Sequence, residues 1–209
     1  MASQALMKQK SQAVLKPAPQ AFEANDPRVA RTRTVINQAL VELLFQRSYR
    51  SLTVSDICRK AGVGRATFYA HYPSKDALLA SQFARIVVPL LLPRPGTPYL
   101  LDCTALFDHV RTAPRLFRNI MSGGEGSGAR VVRAGLEDHV QAILTGDAGL
   151  PAGLARRFIV STILTVISHG LQPGSDQAAQ DMQRQFEMLV GSGLNHPDGG
   201  RGAYRSAPS

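Results

Sequence analysis

Residues 53–69 read TVSDICRKAGVGRATFY, and this stretch decides the fold of the N-terminal part of the chain. Thr53, followed three residues later by Asp56, is a capping-box pattern that predicts the start of a helix. Gly62 predicts the end of that helix, because glycine tolerates the left-handed conformation that is common just past a helix. A second short helix is expected over residues 64–71. Two short helices joined by a glycine-centred turn are typical of a helix-turn-helix.

The second helix of this pattern is expected to have one buried face and one outward face. The small core between the two helices is expected to contain Ile57, Ala61, Val63 and Phe68. The outward face then carries Arg65, Ala66, Thr67, Tyr69 and Ala70. Such a helix fits the major groove of B-DNA, where Arg bonds guanine edges and Tyr reaches a phosphate or a thymine methyl. An ordinary helical hairpin with its aromatic residues in the core is the alternative.

The distribution of charge along the chain adds weight to DNA binding. The 209 residues carry a formal charge of +9. Residues 1–85 contain 13 Lys and Arg against 5 Asp and Glu, whereas residues 86–209 contain 11 Arg, no Lys and 10 acids. This asymmetry indicates one module that meets a polyanion and another that does not. A soluble protein with a basic tail is the alternative.

The rest of the chain also predicts helices, because apolar residues recur at helical spacing and no segment keeps a period of two. We expect an all-α fold of about nine helices and no sheet. The first helix is expected over residues 31–47, and Ser74 is expected to cap a fourth helix that reaches Leu92 unless Pro89 kinks it or ends it early. The later helices are expected around residues 100–110, from Pro114, around residues 132–143, from Pro151 to about Ser168, and from a cap at Ser175.

Composition excludes several classes of protein. Hydrophobic residues make up 44% of the chain, far more than in a disordered protein. The longest mostly apolar stretch, residues 158–167, is too short for a membrane-spanning helix, which needs about 20 residues. No secretory signal opens the sequence, and Cys58 and Cys103 are not spaced as a metal or redox pair. A reduced, cytoplasmic location is therefore expected.

Enzymatic motifs are missing from the sequence. The glycine-rich stretch of residues 122–128, SGGEGSG, lacks the Lys-Ser/Thr ending of a phosphate-binding P-loop and follows no predicted strand. The histidines His109, His139 and His169 are scattered over separate helices. We therefore expect no enzyme, no cofactor and no metal, with a nucleotide-using enzyme as a remote alternative.

Residues 61–79, AGVGRATFYAHYPSKDALL, resemble the signature of the TetR family of one-component bacterial regulators. The matching elements are Gly62-Val63 at the turn, Thr67-Phe68-Tyr69 in the second helix, the pair His71-Tyr72, and Lys75. The resemblance covers residues 28–79. One departure is Ala70, where members often carry a large aromatic residue or His, so the contacts of that residue do not transfer.

The resemblance implies a role for each matching residue. Thr53 and Ser55 would bond phosphate oxygens at the positive end of the first helix of the motif. Arg65, Ala66 and Thr67 would face base edges. The residues implied to grip the DNA backbone are Tyr69, His71, Tyr72 and Lys75. The alternatives are that Tyr72 packs between helices and that His71 lies at a helix end. Arg28, Arg31 and Arg33 would form a DNA-binding arm or a solvated basic face.

The resemblance also implies an N-terminal three-helix helix-turn-helix DNA-binding domain and a C-terminal helical ligand-binding and dimerisation domain. The expected organisation is a disordered basic extension over residues 1–27, the DNA-binding domain over 28–75, the regulatory domain over 76–194 and a disordered tail over 195–209. The helix over residues 158–167 is apolar nearly all round, which predicts burial on more than one side. The expected dimer interface contains Phe158, Ile163, Ile167, Met182, Phe186 and Leu189. A fully internal core helix is the alternative.

The function implied is that of a ligand-responsive transcriptional regulator. A homodimer would bind palindromic double-stranded DNA, most often as a repressor, and an unknown small-molecule effector would release it. The effector pocket is expected to use Phe83, Phe107, Phe117 and Phe158, although aromatic residues at helical spacing are also typical of plain core. A ligand-independent helix-turn-helix protein is the alternative function.

Overall fold

The computed structural model describes residues 26–95, 100–122, 128–144 and 151–194. The disorder expected for residues 1–25 and 195–209, and most of the expected glycine-rich loop, lie outside the described residues. Within the described ranges, the fold has nine α-helices and one two-stranded sheet. None of these helices is both long enough and apolar enough to cross a bilayer.

The first four helices are α1 (Pro27–Leu44), α2 (Val54–Ala61), α3 (Arg65–His71) and α4 (Lys75–Ile86), with a 3₁₀ turn at Tyr49–Ser51. Helix α1 begins earlier than predicted, because Asp26 accepts the Arg28 N–H at 2.8 Å and a proline follows the cap. The predicted capping box is confirmed, since Thr53 and Asp56 bond each other reciprocally. Gly62 adopts the left-handed conformation at φ 68°, as predicted. Ser74 caps α4 by accepting the Ala77 N–H at 3.0 Å.

Helix α4 does not reach Leu92, because a 3₁₀ turn at Val88–Leu90 contains Pro89. The prediction of no sheet was wrong here: β1 (Leu92–Pro93) pairs antiparallel with β2 (Leu101–Asp102). The next helix begins at Thr104 and not near residue 100. The Gln183 side chain accepts the Cys103 N–H and donates to the Leu101 carbonyl, both at 2.9 Å. These backbone groups are therefore satisfied outside any helix.

The remaining helices are α5 (Thr104–Thr112), α6 (Pro114–Met121), α7 (Gly128–Ile143), α8 (Ala152–Gly170) and α9 (Ala179–Leu194). The start of α6 at Pro114 is as predicted. Ser175 does not cap α9, because the helix begins only at Ala179; the Ser175 backbone N–H closes a turn on the Gln172 carbonyl at 3.1 Å. The Ala178 N–H instead donates to the carboxylate of Asp181, in the first turn of the helix, at 3.3 Å.

Two hydrophobic clusters meet within α4. Leu78 and Leu79 belong to a cluster with α1, α2 and α3, whereas Phe83 and Val87 belong to a larger cluster with α5 to α9. We call the first group of helices the head and the second the body. Ile120 of α6 joins the head cluster, and Asn119 donates to the carbonyl of Leu44 at the end of α1, at 2.7 Å. The head and the body are therefore joined through α4 and α6.

Candidate nucleic-acid interface

Helix α3 presents the outward face that the sequence predicts. Phe68 is fully buried in the head cluster, at 0% exposure, and it anchors the helix. The side chains of Arg65, Ala66 and Thr67 are exposed, and Tyr69 is 47% exposed. The Tyr69 ring stands edge-on to Phe68 with 5.5 Å between ring centres, which fixes its direction. The exposed face belongs to a single helix, the element that fits the major groove of B-DNA.

The basic side chains of the head fall into two groups. Lys60 pairs with Glu42 at 2.7 Å, and Arg47 and Arg59 both pair with Asp56, at 3.2 and 2.5 Å. Within the described part of the chain, five exposed arginines of the head make no ion pair: Arg28, Arg31, Arg33, Arg50 and Arg65. These five keep their charge available for an anionic partner, and Arg50 was not singled out by sequence reasoning.

Thr53 and Ser55 differ in what they offer a phosphate. The Thr53 hydroxyl donates to Asp56 at 2.7 Å and the Thr53 N–H donates to the same carboxylate at 3.0 Å. These bonds, followed by the arginines, hold the pKa of Asp56 well below its usual range. Both donors of Thr53 are therefore occupied within the chain. Ser55 is exposed on the first turn of α2.

His71 and Tyr72 lie at the end of α3. Tyr72 is buried, with 6% of its surface exposed, and its hydroxyl donates to Asn37 of α1 at 3.0 Å. This arrangement corresponds to the alternative of packing between helices. His71 is half-buried, with its ring centre 6.5 Å from that of Tyr72.

Lys75 is not free to extend toward a phosphate. Its ammonium group donates to the backbone carbonyls of Tyr49 and Leu52, at 3.0 and 2.7 Å. Burial lowers the pKa of this ammonium group. Lys75 therefore connects the start of α4 to the 3₁₀ turn through these two hydrogen bonds. This role differs from the backbone contact implied by the resemblance.

A polar cluster that sequence reasoning missed lies where the head meets the body. The Tyr49 hydroxyl donates to one oxygen of Asp76 at 2.5 Å, and Arg130 of α7 donates to the other at 2.9 Å. Burial, followed by the bond to Asp76, raises the pKa of Tyr49. The signal in the sequence was a large aromatic residue inside a short break between helices. Its partners Asp76 and Arg130 are 27 and 81 residues away along the chain, so local sequence spacing does not predict these contacts.

The predicted dimer residues divide into buried and exposed groups. Ile163, Met182 and Phe186 are 0% exposed and Ile167 is 4% exposed, all within the core of one body. These four side chains are therefore packed within their own chain and do not lie on its surface. Phe158 and Leu189 are 37% and 48% exposed. Leu154 and Met188, which the sequence did not single out, are 55% and 63% exposed on the same two helices.

The four phenylalanines predicted to share a pocket do not all lie together. Phe107 is fully buried in the body core, and Phe158 lies at the surface. Phe83 and Phe117 line one cavity of about 70 Å³ between head and body, with His109 stacked edge-on against Phe117. His139 instead contacts the Leu91 carbonyl at 3.2 Å. Among the described residues, no group of three or more His, Cys, Asp or Glu is placed to hold a metal.

The N-terminal part of the chain is similar in sequence to known proteins. Residues 36–81 match the model of the bacterial regulatory proteins of the tetR family. The uncharacterized HTH-type transcriptional regulator YxbF of Bacillus subtilis (strain 168) is 43% identical over 89 residues, which are 42% of this chain and 19% of that protein. YuxN of the same strain, with the same description, is 29% identical over 89 residues, covering 38% of this chain and 30% of that protein. The match thus spans less than a third of either relative.

Solved structures resemble the chain over most of its length. A TetR transcriptional regulator from Streptococcus agalactiae 2603V has a TM-score of 0.58 at 22% identity, over 78% of this chain and 95% of that chain. A TetR regulator from Rhodococcus sp. RHA1 has a TM-score of 0.53 at 14% identity, over 80% and 97%. At such identities the likeness shows a shared fold, in which both head and body take part. Residues 36–81 of the head therefore match the bacterial regulatory proteins of the tetR family, and the head and body together share the fold of solved TetR regulators.

Proposed function

We propose that the protein is a transcriptional repressor that binds a palindromic operator in the cytoplasm as a homodimer and is released by a small-molecule effector. The observation that carries this proposal is the exposed face of α3 beside five arginines without ion pairs. Arg65 and Thr67 are proposed to contact base edges, and Tyr69 and Ser55 to contact phosphates, with Arg28, Arg31, Arg33 and Arg50 adding to the positive field.

Three residues that the resemblance assigns to DNA contact are proposed to have a structural role instead. Thr53, Tyr72 and Lys75 have their polar hydrogens on acceptors within the head. We propose that they position α2, α3 and α4, and that His71, which is half-buried, contacts the DNA backbone only with its exposed edge.

A homodimer is supported by the apolar patch on α8 and α9, defined by Leu154, Phe158, Met188 and Leu189. A Cβ atom at Gly193 would lie 2.5 Å from the Phe158 ring, so this ring rests directly on α9 and makes the patch continuous. A second copy would cover the patch and place two α3 helices on half-sites about 34–36 Å apart, or a multiple of that spacing.

The test begins with selection of bound sequences from a pool of random 30-base-pair duplexes. A selected palindrome is expected to bind one dimer, with affinity that falls steeply with salt. Arg65→Ala is expected to cost about 1–3 kcal/mol on the selected duplex and to relax base preference at one position of each half-site. Arg184→Ala, an exposed arginine of α9, is the matched control and should leave binding unchanged. Failure to enrich any sequence would exclude the proposal.

A further inference from the structure

A polar contact joins the body to the head at Asp76, the second residue of α4. One oxygen of its carboxylate accepts the Tyr49 hydroxyl at 2.5 Å, and the other accepts an N–H of the Arg130 guanidinium at 2.9 Å. Tyr49 belongs to the 3₁₀ turn that leads into α2, whereas Arg130 lies in the first turn of α7. One carboxylate therefore connects a turn and a helix of the head to a helix of the body.

Helix α7 approaches Tyr49 closely because Gly128, the first residue of α7, has no side chain. A Cβ atom at Gly128 would lie 2.7 Å from the Ile120 carbonyl oxygen and 3.2 Å from Cδ1 of the Tyr49 ring. Both distances are shorter than ordinary van der Waals contact, so a side chain at residue 128 would push α7 away from the head. This close approach brings Arg130, two residues later, within hydrogen-bonding distance of Asp76.

The Arg130 contact is directional, unlike the apolar contacts between head and body. Burial of apolar surface has no preferred direction, whereas a hydrogen bond needs its donor and acceptor aligned. Asn119 of α6 makes a second directional contact, with the Leu44 carbonyl at the end of α1. One such contact leaves the head free to turn about it, but two contacts on different helices hold its orientation.

The ion pair of Arg130 and Asp76 is exposed to solvent. The two side chains are 64% and 40% accessible, and exposed ion pairs contribute little to stability. We therefore expect the effect of this pair on the orientation of the head and not on the free energy of unfolding.

We propose that Arg130 is a positioning residue for DNA binding: by holding Asp76 it fixes the orientation of the head, and so it determines which half-site spacing the dimer accepts. This inference rests on the proposed function, because it concerns a homodimer on a palindrome. One added base pair moves a half-site by about 3.4 Å along the duplex and turns it by about 35°. A head held at two points cannot follow that turn without breaking a contact, whereas a head released from Arg130 can.

The test measures the Kd of the full-length protein on the selected palindrome and on duplexes with one base pair added or removed between the half-sites. Wild type should bind the altered spacings more weakly, and Arg130→Met should reduce this ratio of Kd values about fivefold. Arg133→Met is the matched control, because Arg133 is exposed one turn further along α7 and donates to Ser161 within the body at 3.1 Å. It removes the same charge and should keep the wild-type ratio.

Two further readouts separate positioning from a general loss of structure. Arg130→Lys keeps a cation that can pair with Asp76, so it should restore most of the wild-type ratio. The melting temperature of Arg130→Met should stay within about 3 °C of wild type, because an exposed ion pair contributes little to stability.

A second experiment contains no DNA. Spin labels on Arg65→Cys in both protomers report the distance between the two α3 helices, and Cys58 and Cys103 are buried away from the label. Arg130→Met should broaden the distribution of distances, whereas Arg133→Met should not. Equal distributions in all three proteins, or equal Kd ratios in the first experiment, would overturn the inference and leave operator binding intact. A wild-type protein that binds no palindrome would overturn the proposed function, and the inference with it.

Discussion

The ammonium group of Lys75 lies 4.4 Å from the centre of the Tyr49 ring and donates a hydrogen bond to the Tyr49 carbonyl. A cation over an aromatic face is favourable, and the second bond to the Leu52 carbonyl satisfies an acceptor in a buried residue. Lys75 is also the first residue of α4, where a positive charge opposes the helix dipole. The contacts with Tyr49 and Leu52 offset that cost, so no phosphate is needed to explain the lysine.

Lys75→Met is expected to lower the free energy of unfolding by about 1–3 kcal/mol, because it leaves the buried Leu52 carbonyl without its donor. Urea denaturation measures the change. Lys60→Met is the matched control: its ion pair with Glu42 is exposed, with both side chains 40% accessible, and should be worth less than about 1 kcal/mol.

The same variant separates positioning from phosphate contact. If Lys75 only positions α4, the slope of log affinity against log salt stays at its wild-type value in Lys75→Met. A phosphate contact would instead reduce the slope by about one. Wild-type stability combined with a reduced slope would restore the role that the family resemblance implies.

The turn between α2 and α3 offers a second test, because its two glycines have different backbones. Gly62 has φ 68°, whereas Gly64 has φ −74°. Gly62→Ala should cost about 1–2 kcal/mol, since an alanine in the left-handed region is strained although nothing lies within 4 Å of its Cβ. Gly64→Ala should stay within about 0.5 kcal/mol of wild type, because a less flexible unfolded chain offsets a poorer N-cap. Thermal unfolding measures the stability of both variants. An equal loss of stability in the two would contradict the explanation by the φ angle of Gly62.

Local sequence signals predicted the head well. The reciprocal bonds of Thr53 and Asp56, the left-handed Gly62 and the Ser74 cap each depend on residues within a few positions of one another. Capping and turn geometry are short-range, so a single sequence contains them. The helices of the body were also predicted, because the helical spacing of apolar residues is a pattern within each segment of sequence.

What the sequence could not supply depends on residues distant along the chain. The hairpin at Leu101 exists because Gln183 satisfies its backbone from α9, 82 residues away. Ile163 is apolar on a helix apolar all round, and periodicity does not say whether its neighbours belong to the same chain or to another. The structure places it at 0% exposure inside one body. Whether the Lys75 ammonium group is bonded within the chain or free to contact DNA is likewise determined by tertiary contacts.

The Asp56 carboxylate should make the stability of the head depend on acid pH. Hydrogen bonds from Thr53 hold its pKa below the unfolded value of about 3.9, so the unfolded chain takes up the proton first as pH falls. The stabilisation is complete above the unfolded pKa and is lost as pH falls through the folded pKa. Melting temperatures of wild type and Asp56→Asn should therefore differ most at pH 7, and the difference should begin to shrink only below about pH 4 and keep shrinking below about pH 3. A difference that stays constant over this range would mean that the charge of Asp56 contributes nothing.

The apolar patch on α8 and α9 provides a test of the dimer. Leu189→Asp places a charge on a side chain that is 48% exposed, so it should give folded monomers in sedimentation, with unchanged helix content by circular dichroism. Leu92→Asp, at 56% exposure on the hairpin, is the control for adding a charge outside the patch and should remain dimeric.

Ile163→Asp separates the body core from the dimer surface. It buries an unpaired carboxylate at a site of 0% exposure, so helix content and the cooperative melting transition should be lost in the protomer itself, and no folded monomer should accumulate. Leu189→Asp and Ile163→Asp therefore predict opposite outcomes for two residues that the sequence had placed in one interface. A folded monomer from Ile163→Asp would move that residue to the interface, and a persistent dimer in Leu189→Asp would place the contact on another face of the body.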